Sequence, residues 1–261
     1  KQFTTLFKDG YINAKGTERI KKLFSVERSY FDYAKPIELL YDLMVMADIN
    51  DNDIVLDFFA GSSTTADALL TYNKDFNKNA SFIEVQLPEK FPTDSEAAKA
   101  GFETISRLSA KRIEKSIDYL ELESGFKFFS LDHTNINQWE ATFDTVEDMV
   151  EQSVDSIKAK RTEYDVLYEI LLKYGLDLTY PISEHDIKGK RVFDVAFGSL
   201  IVCLDNKITN ETIVGIGELK KELDSETTRV VIKDAGYEDS CEKLNAIETL
   251  KQYDITDVKC I

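Results

Sequence analysis

The stretch Val55-Leu-Asp-Phe-Phe-Ala-Gly-Ser-Ser-Thr-Thr-Ala-Asp67 decides how this chain is read. An apolar run with strand propensity ends in Asp57, and small and hydroxylated residues follow from Ala60 to Thr65. Ala66-Asp-Ala-Leu-Leu70 then resumes at helical spacing. Strand, small-residue turn and helix is how an α/β protein aims the free N–H groups of a helix N-terminus at an anionic or polar ligand. The same sequence of elements also serves plain tight packing, and the stretch alone leaves both open. Asp57 likewise suits either bonding to loop amides or contact with a ligand.

Upstream, Ala34-Lys-Pro-Ile-Glu38 opens a helix, with Pro36 suited to the first helical position and Glu38 to the positive end of the dipole. Its apolar stripe is expected at Leu39, Leu40, Leu43, Met44 and Ala47, and a turn over 48–53 leads into a strand over 54–58. Residues 1–30 show no clear periodicity. Downstream, a helix over 66–73, a polar loop over 72–80 and a strand over 81–87 are expected. A long helix comes next over 95–120, with Phe102, Ile105, Leu108 and Ile113 inside, and a third strand over 126–131. Strands alternating with helices argue a mostly parallel, doubly wound sheet. Charged residues crowd a connecting helix over 144–161, and Tyr164–Tyr174 reads as an amphipathic helix closed by Gly175. Beyond Pro181 a smaller α/β unit is expected: a hairpin of 191–196 and 200–205 around Phe197-Gly198, a helix over 209–223 capped by Thr209 or Asn210, a strand over 229–233, a helix over 239–253 and a strand over 257–261. The domain boundaries read as an arm over 1–34, a ligand-binding lobe over 35–143, connecting helices over 144–175 and a small α/β domain over 176–261.

Composition narrows the function classes. The formal net charge is −16, so the chain taken whole should be repelled by nucleic acid, whose phosphates demand a basic surface. Lys111-Arg112 and Lys158–Arg161 read as solvated helix faces rather than as a basic patch. The three cysteines, Cys203, Cys241 and Cys260, lie far apart without metal-ligand or redox spacing and read as buried free thiols. With two histidines, His133 and His185, a histidine-rich metal centre is excluded. No stretch has membrane-spanning length and no leader pattern is present, so a cytoplasmic location is expected. Neither GxGxxG nor GxxxxGK[ST] occurs, so dinucleotide and triphosphate readings lack their usual support.

Asp57-Phe-Phe-Ala-Gly-Ser-Ser-Thr-Thr-Ala66 resembles the cofactor motif of amino-methylating DNA methyltransferases, and Lys35-Pro-Ile-Glu-Leu39 resembles the Lys-Pro-x-x-Leu motif that precedes it in the permuted class. Phe82-Ile-Glu-Val-Gln-Leu-Pro-Glu89, Gly101-Phe-Glu-Thr-Ile-Ser106, Arg112-Ile113, Leu171–Pro181 and Gly198–Asp205 are similar to the segments downstream of that motif in methylation (Mod) subunits of type III restriction–modification systems. The similarity runs from about Phe31 to Ile261. It implies a Rossmann-like S-adenosylmethionine-dependent methyltransferase lobe, incomplete here, with a second, smaller α/β domain. It also implies adenine N6 methylation of DNA, with DNA, a restriction subunit and a second copy of the methylase as partners of the full-length enzyme. Carried over by position, Phe58, Phe59, Gly61, Ser62, Ser63 and Thr64 form the loop beside the cofactor's methionine end, with Asp57 at its start. Lys35 and Pro36 close over that end, and Gln86 stands where relatives place an acid on the ribose hydroxyls.

Two departures matter. Ser63 replaces a glycine of the commoner loop, a substitution that strains a left-handed backbone but not an extended one. The Asp-Pro-Pro-Tyr-type tetrad that holds a flipped base is absent, because no two of the four prolines are adjacent. No catalytic residue is therefore assigned and no metal is expected. The chain, which lacks an initiator methionine, reads as the C-terminal portion of a longer enzyme and as inactive alone. The alternative is an interaction module, its small domain and charged helix docking a partner subunit, with a vestigial cofactor loop. The aromatic group Phe126, Phe128, Phe129 and Trp139 reads as core rather than as a base-stacking platform.

Overall fold

A computed structural model describes residues 10–137, 157–237 and 240–261. The chain forms two compact units, Lys1–Phe129 and Ser130–Ile261.

The first unit contains α1 (Asn13–Phe24), α2 (Ile37–Ala47), β1 (Ile54–Asp57), α3 (Thr64–Phe76), β2 (Ser81–Glu84), α4 (Glu96–Lys99) and α5 (Ile105–Leu120). β1 and β2 pair in parallel, Ile54 opposite Ser81 and Asp57 opposite Glu84, with α3 as the crossover. Strand alternation sends Val55 and Phe82 into the helical layer, where Met44, Ala68, Leu69 and Tyr72 form one cluster and Ala66, Leu70, Ile113 and Leu120 another. Helix α3 lies between α2 and α5, and every residue from Thr64 to Leu70 is buried. The opposite sheet face is bare: exposure runs from 50% at Ile83 and Val85 through Leu56 and Ile54 to 68% at Leu87.

Several expectations for this unit are corrected. Among the described residues its sheet has two strands; residues 126–131 take no strand, and Leu131 is fully exposed. The long helix over 95–120 is two helices. Residues 101–104 leave the helical path because Phe91 and Glu103, and Ile105 and Glu89, bond backbone to backbone, and Thr104 then caps α5 by accepting from the Arg107 N–H. Helix α3 runs past the expected boundary to Phe76 and ends at Asn77 in a left-handed cap. Pro36 sits one position before the first helical residue, so α2 is phased from Ile37. Its inner face is Ile37, Leu40, Tyr41, Met44 and Val45, leaving Leu43 exposed. The region read as aperiodic contains α1, which buries Ile20 and Leu23.

In the second unit α6 (Glu163–Lys173) precedes β3 (Ile182–Ile187), β4 (Lys190–Val195), β5 (Leu200–Cys203), α7 (Asn210–Glu222), β6 (Arg229–Ile232), α8 (Ser240–Lys251) and β7 (Asp257–Cys260). The sheet order is β3-β4-β5-β6-β7, antiparallel up to β5 and parallel from β5 to β7. Helices α7 and α8 bury Ile213, Ile216, Ala246 and Leu250 against Val192, Ile201, Val230 and Ile232. Helix α6 buries Val166, Leu167, Ile170 and Leu171 against Phe193, Val195, Val202 and Val231 on the other face. Both faces covered explains why Leu200-Ile-Val-Cys203 is an unbroken apolar run. The expected hairpin, helices and parallel strands of this unit are present. Strand β3, whose Ser183-Glu-His-Asp186 centre lacks a strand-like pattern, went unread.

The expected helix over 144–161 falls mostly outside the described residues, as does Trp139. Within its described end, residues 157–161 are not helical, and Arg161 pairs with Asp132 at 2.7 Å. The three cysteines are free, but of them Cys203 alone is buried; Cys241 is exposed. Arg112, read as part of a solvated face, is 1% exposed. Phe126 is half-buried beside the α3–α5 cluster, whereas Phe128 and Phe129 are exposed rather than core.

Candidate functional site

The loop between β1 and α3 is built from below. Asp67, on the first turn of α3, is 0% exposed and lies between two guanidinium groups: Arg112 at 2.9 Å and Arg19 at 2.7 Å. Burial drives the Asp67 carboxyl up, but Arg19 and Arg112 outweigh burial and hold it below the ordinary carboxylate range. Arg112 Nη1 also donates to the carbonyl and hydroxyl of Ser62, each at 2.9 Å, and to the Thr64 hydroxyl at 3.0 Å. The Ser109 hydroxyl donates to the Gly61 carbonyl. The hydroxyls of Ser62 and Thr64 therefore face the interior, and the loop is pinned by α5.

Its upper side is set by the strands. Asp57 accepts from the Phe59 N–H at 3.0 Å and from the Thr65 hydroxyl at 2.5 Å, so in this structure it serves the loop. Gln86 Oε1 accepts from the Gly61 N–H at 2.8 Å. Gly61 has φ +53° and Ser63 has φ +57°, both left-handed, so the position where serine replaces glycine is the one at which it costs. Phe58 and Phe59 project outward, 59% and 84% exposed, with their rings 5.1 Å apart.

Glu84, on the helix-facing side of β2, was missed by the sequence reading. Its Oε1 accepts from the Ala66 N–H at 2.8 Å, and its Oε2 is buried without a partner. Burial pushes this carboxyl up to about 7; the Ser63 hydroxyl and the Ala66 N–H pull against it, Asp57 adds to it, and Arg112 pulls against it. Among the described residues no acceptor is bonded to the Thr64 and Thr65 amides, which leaves two N–H groups at the start of α3 for a ligand anion.

Of the residues singled out from sequence, the structure gathers Asp57, Gly61, Ser62, Ser63, Thr64 and Gln86 around one loop, with Phe58 and Phe59 at its rim. Lys35 is exposed and makes no hydrogen bond or ion pair among the described residues, and Pro36 is buried. What positions that segment is Gly16 of α1: a Cβ there would lie 2.2 Å from the Ala34 carbonyl oxygen and 2.5 Å from that of Lys35. Arg112 had a legible signal, since it stands in the i, i+4 row Leu108–Arg112–Ser116–Leu120, all buried. Glu84 had one too, sharing strand parity with Phe82.

Comparison with known proteins meets this geometry at the same residues. A family model described as DNA methylase matches residues 1–91, which contain the whole loop, α3 and β2. The chain is 29% identical over 245 residues to the type III restriction-modification enzyme EcoP15I Mod subunit of Escherichia coli, covering 91% of this chain and 36% of that protein. It is 27% identical over 255 residues to the EcoPI Mod subunit of Escherichia phage P1, covering 95% of this chain and 38% of that protein. This chain is similar in sequence to type III Mod subunits. A shorter match, 36% identical over 103 residues, reaches the StyLTI Mod subunit of Salmonella typhimurium and covers 15% of it. The chain thus spans little more than a third of the length of the two Mod relatives it matches over most of its own.

Proposed function

We propose that this chain is the S-adenosylmethionine-binding and C-terminal portion of a type III Mod enzyme that methylates adenine N6 in DNA. The observation that carries the reading is the pinned loop from Gly61 to Ser63, left-handed at both of those residues. It delivers the unbonded Thr64 and Thr65 amides at the N-terminus of a 13-residue helix, inside the segment that matches DNA methylases. The donor set fits the proposed ligand. The two amides suit a carboxylate, and the Gln86 amide, just beyond β2 and bonded here to the Gly61 N–H and the Leu87 carbonyl, is of a type that can turn to ribose hydroxyls. Phe58 and Phe59 offer apolar surface to a base. The exposed ammonium of Lys35 is free to close over the methionine end.

When bound, the cofactor supplies an electrophilic methyl group. This chain's residues bind and orient it, and base capture falls to an Asp-Pro-Pro-Tyr-type tetrad that this sequence does not contain. The bare apolar face of β1 and β2 supports a lobe that packs on further structure in the full enzyme, because parallel sheets are covered on both faces. DNA, a restriction subunit and a second Mod copy are the partners of that full enzyme in this reading, and the cytoplasm is its compartment.

Calorimetry of the 261-residue chain with S-adenosylhomocysteine tests cofactor binding, and labelled S-adenosylmethionine with DNA tests inactivity. Binding heat without methyl transfer is expected. No heat at saturating ligand overturns the cofactor site, and robust transfer overturns the inactive portion. A second reading, an interaction module with a vestigial loop, draws on Gln86 and Glu84, which already occupy the Gly61 and Ala66 amides. It requires no binding heat together with tight association to a restriction subunit.

A further inference from the structure

Glu84 is an anionic side chain placed at the positive end of α3, under the loop that the proposed function assigns to the cofactor. Of the three amides at the start of that helix, Ala66 donates to Glu84 Oε1 at 2.8 Å, while Thr64 and Thr65 have no bonded acceptor among the described residues. The second carboxyl oxygen is buried and unpartnered, which is costly for a charge and tolerable for a neutral acid. The groups facing it are the Asp57 carboxylate from β1, the Arg112 guanidinium from α5 and the Ser63 hydroxyl from the loop. Arg112 offers little compensation, because Asp67, Ser62 and Thr64 take its donors.

We propose that a ligand carboxylate bound on the Thr64 and Thr65 amides shares the α3 N-terminus with Glu84, so that its binding takes up a proton at Glu84 and weakens as pH rises. Two carboxylates on neighbouring amides of one helix end repel, and the pair relieves the repulsion by holding a proton. Protonated, the free Glu84 oxygen becomes a donor that tolerates a second carboxylate; ionised, it opposes one. Glu84 is thereby a specificity residue: it penalises carboxylate-bearing nucleosides at alkaline pH and is indifferent to those without a carboxylate. The carboxyl already titrates near 7 in the free protein, so the effect falls in the physiological range.

The proposal rests on the cofactor reading, and the test separates the two. The whole chain is titrated calorimetrically with S-adenosylhomocysteine and with 5′-methylthioadenosine, which lacks the carboxylate. Titrations run between about pH 6 and pH 8, in buffers of different ionisation enthalpy. For wild type, Kd for S-adenosylhomocysteine is expected to weaken by up to about tenfold per pH unit above neutrality, with net proton uptake. Glu84→Gln is expected to flatten the profile and keep the acidic-side affinity throughout, and 5′-methylthioadenosine to bind both proteins without a slope. Equal slopes in wild type and Glu84→Gln overturn the role of Glu84 and leave the cofactor site standing. No binding by either protein at any pH overturns the cofactor site and this proposal with it. A ligand-free readout checks the titration itself. A carboxyl whose folded value is raised contributes stability that is present below its unfolded value and lost as pH rises through the folded one. Wild type should therefore lose stability relative to Glu84→Gln as pH rises from about 4.5 to about 7 and stay level above that, and a constant difference across this window overturns the titration.

Discussion

Ser63 is where a single atom group and a backbone angle meet. Its φ of +57° is one that glycine adopts freely and serine adopts at a cost. The hydroxyl recovers part of that cost beside Glu84, which holds the same helix end through the Ala66 N–H. Ser63→Gly is expected to raise the unfolding free energy by about 1 kcal/mol, measured by urea denaturation at neutral pH. A loss of stability would mean that the Ser63–Glu84 contact outweighs the strain. Gly16 acts differently: it has no strained angle but sits against the Ala34 and Lys35 carbonyls, where any side chain would displace the Lys35-Pro36 segment.

Helix α3 has an interior that is charged as well as apolar. Asp67 is wholly buried and joins α1 to α5 through Arg19 and Arg112, so three elements share one carboxylate. Such a network is a poor source of net stability, but removing one partner strands the others without compensation. Asp67→Asn leaves two guanidinium groups facing a neutral amide, and is expected to cost ~3–5 kcal/mol by chemical denaturation. Because Arg112 also holds Ser62 and Thr64, the variant should weaken the nucleoside binding proposed for this loop under conditions where it remains folded. A cost below ~1 kcal/mol would show that the pocket hydrates or rearranges around the lost charge.

Across the molecule, the two units differ in how completely they cover their sheets. The second unit has helices on both faces and a five-stranded sheet. The first shows two parallel strands with Ile54, Leu56, Ile83, Val85 and Leu87 bare on one side, a patch of the kind that marks a contact surface. Leu56→Lys and Ile83→Glu should each leave the unfolding free energy within ~0.5 kcal/mol. Both should lower binding of an apolar fluorescent dye. A large loss of stability in either variant would show that the face is packed within this chain.

Most of the second unit was legible in the amino-acid order, because its strands are continuous apolar runs and its helices are capped and periodic. The strand–loop–helix around Gly61 was legible for the same reason: small residues between two apolar periodicities leave a tight turn as the natural outcome. Strand β3 was not, since an edge strand needs only one apolar face and backbone partners that come from β4. Nor was the break in the helix after Ser95, which arises from backbone pairing between 89–91 and 103–105, residues that local propensity treats as unrelated. The buried charges belong wholly to the folded state. Local spacing proposes which residues share a face, but whether Arg112 meets solvent or Asp67, and whether Glu84 meets water or the α3 amides, depends on which distant surface arrives opposite it. Chain order therefore determined the loop and its helix. Only packing decided that the loop is held by an interior ion pair and capped by the protein's own carboxylate.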